Sequence, residues 1–295
     1  MRGSFENKMS RFFDDPWCHS LLQQAEMATV SKEMVYWKPL ECNPETMNKL
    51  IRDIGVKGVH CEDLFGFDDE LLNFIPRPHL ALILCFADRG NANCNTFDII
   101  DPYYSQLKKE GYTNPSDVFY MKQKIGNACG TFALLHSLAN LRDSVDFGSG
   151  AFSNWLGKAL PLSVEDRSHS LETDEQMAAA HDSCARAGET EIVNVVSNHF
   201  ITFVNIKGTL YEFYSSKGFA RETEIVNVVS NHFITFVNIK GTLYEFYSSK
   251  GFARPIGPTS EATFLKDVEK VVQELSKGLE TVTFSAVVLV GDEHE

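Results

Sequence analysis

A cysteine stands where a polar, glycine-rich segment changes into an apolar run, in the sequence QKIGNACGTFALLHSL over residues 123–138. The apolar run predicts a buried central helix that begins near Cys129. Unpaired N–H groups at the leading end of a helix favour the nucleophilic thiolate. The N–H of Cys129 and the amide of Gln123 can hold an oxyanion, while Gly126 and Gly130 allow close approach of a substrate carbonyl. A buried structural cysteine is the alternative.

A thiolate nucleophile needs a base, and the chain offers nine histidines. His136 lies inside the apolar helix, which indicates a core residue. His199 and His232 are better candidates because each begins a strand of a predicted hairpin. A strand end holds a side chain rigidly at the edge of a cleft. A histidine that only caps its strand is the alternative for both.

These two histidines belong to a verbatim repeat, in which residues 189–221 recur unchanged as residues 222–254. Solenoid repeats diverge and need at least three units. Two identical copies indicate a recent duplication or, as we favour, a duplicated exon in a gene model. An older single domain would need only one copy. We expect the hairpin of the additional copy to expose strand edges and lower the solubility of the protein.

Local patterns predict helices on both sides of a strand-rich middle, which gives an α/β (α+β) class with a mostly buried sheet. Each repeat copy predicts a hairpin around a glycine turn. Four further patterns predict a helix from Asn43 to Gly55, a buried strand over 79–86, an amphipathic helix capped by Ser260, and a final strand over 281–290.

Four segments of the chain match a known family: WKPLECNPETMNKLI, GFDDELLNFIPRPHLALILCF, VFYMKQKIGNACGTFALLHSLAN and HFITFVNIKGTLYE. Together with the closing helix and strand, they make residues 36–290 resemble a small, single-domain ubiquitin carboxy-terminal hydrolase (UCH). The resemblance implies a papain-like cysteine peptidase fold, with a central antiparallel sheet flanked by helices and here a duplicated hairpin. It implies a catalytic domain over residues 35–295, after an extension of residues 1–34 that we expect to be disordered.

The resemblance also implies a role for each matched residue. Cys129 matches the nucleophile, and Gln123 matches the glutamine that stabilises the oxyanion. The histidine of the HFI segment matches the general base and acid. We favour His199, because its separation from Cys129 is close to that of the family. His232 is a rival, because the family-like sequence PIGPTSEATF follows only the second copy.

One departure from the family concerns the third catalytic position, where an aspartate is replaced by Tyr214 in one copy and Tyr247 in the other. In a related triad, loss of this carboxylate costs up to ~10⁴ in rate. A thiol suffers less than a serine, since some thiolate is available anyway. Glu212 and Glu245 lie two residues earlier, and we do not expect them to substitute. The chain is therefore an impaired hydrolase, a ubiquitin-binding pseudoenzyme, or an ordinary hydrolase with an erroneous gene model.

The resemblance implies hydrolysis after the C-terminal glycine of ubiquitin or a ubiquitin-like modifier, through a thioester and without a cofactor or metal. A net charge of −13 at pH 7 suits the arginine-bearing ubiquitin tail and argues against nucleic acid or anionic membranes as partners. Residues 162–188 match the family's loop over the active site, so we expect a mobile lid, lengthened by the first repeat copy.

The cysteine pattern and the N-terminal sequence indicate where the protein works. Seven cysteines without a CxxC motif argue against a disulfide framework or a structural zinc site. The first residues lack the apolar core of a signal peptide. We therefore expect a cytoplasmic, or also nuclear, protein with reduced thiols, and we expect a monomer.

Overall fold

The structure is a computed structural model that describes residues 35–88, 96–188, 201–206, 209–214, 219–222, 230–276 and 284–292. Side chains are described for all of these residues except those within 86–99, 201–222 and 230–232. The extension over residues 1–34 lies outside the described residues. None of the helices in the described part is both long and apolar enough to cross a bilayer. These helices are α1 (Pro44–Asp53), α2 (Asp69–Leu72), α3 (Thr96–Lys109), α4 (Cys129–Asn140), α5 (Ala151–Ala159), α6 (Val164–Glu172), α7 (Glu175–Ala187) and α8 (Phe264–Leu275).

The strands form two antiparallel sheets. A six-stranded sheet has the order β1-β9-β2-β6-β7-β8, and a three-stranded sheet has the order β3-β4-β5. The strands are β1 (Val59–Asp63), β2 (His79–Asp88), β3 (Ile201–Ile206), β4 (Thr209–Tyr214), β5 (Phe219–Glu222), β6 (Ser230–Ile239), β7 (Thr242–Phe246), β8 (Arg254–Pro258) and β9 (Phe284–Gly291).

The six-stranded sheet lies between α4 on one face and α8 on the other. Alternate residues of a strand point to opposite faces. On β6, the hydroxyl of Thr235 donates a hydrogen bond to the carbonyl of Ala133 in α4, at 3.0 Å. Its neighbours Ile234 and Phe236 pack into an apolar cluster with Phe264 and other residues of α8. The predicted class, a mostly buried antiparallel sheet flanked by helices, is confirmed.

The two repeat copies form the same three-stranded meander with the same register. Ile206 lies opposite Thr209 in the first copy, as Ile239 lies opposite Thr242 in the second. The second copy alone joins the large sheet, because its strand β6 pairs with β2. The local sequence therefore determines the meander in both copies. Only one copy can join the large sheet, because β2 has a single edge open for pairing.

Most predicted element ends agree with the structure. The side chain of Asn43 caps α1 by accepting a hydrogen bond from the backbone N–H of Thr46 at 2.8 Å. Gly55 ends this helix with a φ of +75°, which favours glycine. The prediction that Ser260 caps the last helix is wrong, since α8 begins one turn later, after Thr263. Ser260 instead caps a preceding turn, in which its hydroxyl accepts from the N–H of Thr263 at 3.3 Å.

The predicted mobile lid over residues 162–188 is also wrong. These residues form α6 and α7, whose N-terminal ends are capped by the side chains of Ser163 and Asp174. Met177, Ala180 and His181 are buried. Apolar and small residues recur at helical spacing here, and their burial fixes the segment against the domain.

Candidate active site

Cys129 is the first residue of α4, as predicted. The residue before it, Ala128, offers no side-chain cap, and the first intrahelical hydrogen bond runs from the N–H of Phe132 to the carbonyl of Ala128 at 2.9 Å. Cys129 is half-buried, whereas all later residues of α4 are buried. The helix therefore presents a single thiol at its leading end.

The thiol of Cys129 is held mainly in its neutral form. Burial raises its pKa to about 11, and the nearby Cys85 raises this pKa further when it is charged. The backbone N–H groups of Gly130 and of Cys129 itself lower the pKa by donating to the sulfur. The helix end favours the thiolate, as expected, but desolvation outweighs these hydrogen bonds. A base has to remove the proton.

The two glycines beside Cys129 make room for the protein's own chain rather than for a substrate. A Cβ atom added to Gly126 would collide with the ring of Tyr36. A Cβ atom added to Gly130 would lie 3.3 Å from both Leu40 and the ring of Phe233. We predicted that a substrate carbonyl approaches these glycines closely. In the structure, side chains from the segment before α1 and from β6 pack there instead.

Gln123 is fixed in orientation by Ser248. Its backbone N–H donates to the carbonyl of Ser248 at 2.8 Å, and its side-chain Oε1 accepts from the Ser248 hydroxyl at 2.6 Å. Its Nε2 then donates to the carbonyl of Ile125 at 2.9 Å. Ser248 belongs to the second repeat copy and was missed from the sequence, where no motif marks it.

The segment that carries Gln123 is pinned along α4 by two side chains of that helix. The side chain of Asn140 accepts from the N–H of Phe119 at 2.8 Å and donates to its carbonyl at 2.9 Å. The N–H of Met121 donates to Nε2 of His136 at 3.1 Å. Burial lowers the pKa of His136 to about 3, so the ring stays neutral and acts as the predicted core residue.

A family model described as ubiquitin carboxyl-terminal hydrolase, family 1, matches residues 37–223, which is more than half of the chain. The chain belongs to this family. A ubiquitin carboxyl-terminal hydrolase of Drosophila melanogaster is 35% identical over 262 residues, covering 87% of this chain and 98% of the relative. One from Aplysia californica is 40% identical over 182 residues, covering 60% and 80% respectively. Membership confirms the predicted enzyme class, a cysteine-type ubiquitin hydrolase.

Solved structures of the family share the fold. The catalytic domain of Trichinella spiralis UCH37, in a crystal structure bound to ubiquitin vinyl methyl ester, superposes with a TM-score of 0.57. The match covers 88% of this chain and 99% of that domain, at 17% sequence identity. At this identity the likeness concerns the fold, and it confirms the predicted UCH architecture.

Of the two histidines that match the family's base, the described structure includes only His232, and only by its backbone. His232 lies in β6, paired with Phe86 of β2. The next residue along β6 is Phe233, whose ring is the one that packs at Gly130. His199 lies outside the described residues.

Tyr247, which the sequence predicts at the position of the family's aspartate, is a buried residue of the apolar cluster. Tyr214, its counterpart, ends β4 of the separate sheet. Glu245 is buried and forms two hydrogen bonds with Arg254, at 3.0 Å and 2.7 Å. This carboxylate is committed to a cation, which agrees with the expectation that it does not replace the aspartate.

Proposed function

We propose that this chain releases small adducts from the C-terminal glycine of ubiquitin through a thioester on Cys129. The observation that carries the proposal is the half-buried Cys129 at the leading end of an otherwise buried helix. The thiolate attacks the glycine carbonyl, and the resulting oxyanion accepts hydrogen bonds from the N–H of Cys129 and the amide of Gln123. The departing amine takes a proton from a histidine, which then activates water to hydrolyse the thioester.

We propose His232, rather than His199, as this general base and acid. The family model ends at residue 223, two residues past the end of the first copy. Because the two copies are identical, a match of sequence cannot distinguish them. The docking of β6 beside β2 and the contact of Phe233 with Gly130 support the second copy. The proposal therefore rests on which strand reaches the leading end of α4.

Ubiquitin is the proposed partner. The relatives and the solved structures are named for ubiquitin, and the net charge of −13 complements a tail that carries arginines. Steering of this kind weakens with salt, so binding should weaken between low and physiological ionic strength. A cytoplasmic or nuclear location and a monomer as the catalytic unit complete the proposal, and these rest on the sequence alone.

The replacement of the aspartate favours a second candidate, a pseudoenzyme that binds ubiquitin without turning it over. Tyr247 is buried in the apolar cluster and Glu245 is paired with Arg254. Without an acceptor on its second nitrogen, the catalytic imidazole loses the group that fixes its tautomer. An intact ubiquitin-binding surface with unreactive Cys129 would distinguish this candidate from an impaired hydrolase.

The repeat supplies a matched pair of variants that tests the assignment of the base. We expect His232→Ala to lower kcat/KM for a fluorogenic ubiquitin amide by roughly 10²–10⁴, the contribution typical of a general acid and base. We expect His199→Ala, in the same sequence context, to leave kcat/KM nearly unchanged. The reverse result would assign the first copy, and equal losses would show that both copies dock.

Labelling with ubiquitin vinyl methyl ester tests the chemistry separately from turnover. The full chain should form a covalent adduct, and Cys129→Ser should not. An intact protein that binds ubiquitin in calorimetry but forms no adduct is the pseudoenzyme. A chain that neither binds nor reacts would contradict both candidates.

A further inference from the structure

Three thiols gather at the leading end of α4. Of the five cysteines in the described part of the chain, Cys42, Cys85 and Cys129 are partly exposed, whereas Cys61 and Cys184 are buried. Partial exposure is what reactive cysteines share, while buried ones are inert. The mechanism proposed above uses only Cys129, so the other two exposed thiols have no role in it.

Cys42 and Cys85 are held against each other by the sheet. Cys85 lies on β2 directly opposite Ser285 of β9. The sulfur of Cys42 lies 3.8 Å from the carbonyl oxygen of Ser285. Both cysteines therefore adjoin Ser285, and their thiols lie close enough to shift each other's pKa. Two thiols held beside the same residue need only a small movement to form a covalent bond.

The pair lies beside the catalytic sulfur. On β6, Phe233 pairs with Cys85 across the ladder, and its ring packs at Gly130. Leu40, two residues before Cys42, packs at the same glycine. The charge of Cys85 is also felt at Cys129, where it raises the pKa of that thiol.

The two thiols of the pair are chemically unequal. The hydrogen bond from Cys42 lowers the pKa of Cys85 and raises the pKa of Cys42 itself. A lower pKa supplies more thiolate, which is the form that reacts with peroxides. Burial raises the pKa of Cys129 to about 11, whereas the pKa of Cys85 is lowered, so we expect a peroxide to react at Cys85 first.

We propose that Cys42 and Cys85 form a redox modification site, which hydrogen peroxide closes to a disulfide beside the catalytic thiol. The Cys85 thiolate attacks one peroxide oxygen, which breaks the O–O bond, gives a sulfenic acid and releases water after protonation. The sulfur of Cys42 then loses its proton and attacks the sulfenic sulfur. The S–S bond forms, the S–O bond breaks and a second water leaves. Two thiols are oxidised by two electrons, and one peroxide is reduced to two waters.

The test maps disulfides in the full chain. The reduced protein is treated with hydrogen peroxide, its free thiols are blocked with N-ethylmaleimide, and it is digested without reductant. Mass spectrometry should find the peptides of Cys42 and Cys85 joined, with the loss of two hydrogen atoms, and dithiothreitol should separate them. No variant is needed for this first result, so a misfolded mutant cannot obscure it.

Matched variants then identify the sulfurs and their order of reaction. The link should be absent in Cys42→Ser, and in Cys85→Ser no sulfenic acid should be trapped by dimedone at Cys42. The link should persist in Cys129→Ser and in Cys61→Ser, whose sulfur is buried. Principal formation of a Cys85–Cys129 link, or oxidation of Cys129 while Cys42 and Cys85 stay free, would overturn the proposal. Because the readout is a covalent link, it is independent of ubiquitin hydrolysis.

Discussion

At Cys129, the end of a helix and the surrounding protein act on the same proton in opposite directions. Two backbone N–H groups stabilise the thiolate, while desolvation and the neighbouring Cys85 oppose it. Each unit of pKa corresponds to about 1.4 kcal/mol between the two protonation states. The balance favours the thiol, so the proposed mechanism needs a base to generate the nucleophile when substrate is in place. This dependence gives the histidine a larger role than a preformed thiolate would.

The influence of Cys85 on this balance gives a prediction at the residue scale. Removing the Cys85 charge in Cys85→Ser should lower the pKa of Cys129, because one of the groups that disfavour its thiolate is gone. The rate of iodoacetamide alkylation at Cys129, followed peptide by peptide against pH, should therefore reach its midpoint at a lower pH than in the unmodified sequence.

Cys184→Ala is the control for this titration, because Cys184 is buried and its hydrogen bonds are to Lys49 and Asp53 instead. It should leave the midpoint of Cys129 in place. A midpoint near neutral pH in the unmodified sequence would contradict the account, since it would mean that the sulfur already forms an ion pair with an imidazolium.

Sequence reasoning placed the residues that belong to one continuous motif and missed the contacts made by residues from distant parts of the chain. Cys129 and its helix follow from a single stretch of residues, and so does the core role of His136. Ser248 is 125 positions from Gln123, and Cys42 reaches Cys85 only because β9 lies beside β2. Pairing between distant strands depends on the folded sheet, so the spacing of residues along the sequence does not predict it.

At the scale of elements, the edge of the large sheet is fixed by a buried ion pair between β7 and β8. Glu245 lies opposite Arg254 in the ladder, and the two side chains are almost fully buried. The ring of Tyr103 lies over the guanidinium at 4.5 Å. A buried pair contributes little beyond an apolar replacement, but loss of one partner leaves an uncompensated charge.

Replacing Glu245 tests whether its carboxylate stabilises the fold or takes part in catalysis. We expect Glu245→Gln to lower the free energy of unfolding by about 3–5 kcal/mol, because Arg254 would remain buried without its counter-ion. Urea unfolding measures the loss, with Glu70→Gln on the exposed surface of α2 as the control. Unchanged stability together with a reduced kcat/KM would instead mean that Glu245 orients the catalytic histidine.

Local signals predicted element identity well and failed where tertiary packing overrides composition. Asn43 and Gly55 specify both ends of α1 through hydrogen bonding and a left-handed backbone. Ser260 provides a similar capping signal, but it caps an isolated turn before the helix. The stretch over residues 162–188 is polar in composition, yet the apolar minority is enough to bury α7 against its neighbours.

At the scale of the whole molecule, the two repeat copies compete for one position in the large sheet. The two copies have the same sequence and form the same meander, so their local folding free energies are equal. Only one edge of β2 is available, and β6 occupies it. The first copy forms a separate sheet of three strands, which leaves edges of the kind that pair with other chains. Self-association through the surplus copy is therefore expected.

Deleting one copy tests this expectation without choosing between them. Removal of residues 189–221 and removal of residues 222–254 give the same protein, because the copies are identical. The shortened chain should keep the six-stranded sheet, react with ubiquitin vinyl methyl ester at Cys129, and elute as a single monomer in size-exclusion chromatography. The full chain should show a concentration-dependent larger species under the same conditions.

The deletion also tests how the repeat affects substrate size. In the full chain, the connection between α7 and β6 contains the entire first meander, whereas the shortened chain has only a short link. The family resemblance implies that the connection containing the first copy crosses the active site, and a longer connection there would admit larger groups because its ends are less constrained. We therefore expect the full chain to cleave a folded ubiquitin fusion better than the shortened chain does, relative to a small ubiquitin amide as internal control. Equal refusal of the fusion by both chains would show that the inserted meander does not widen the passage to Cys129.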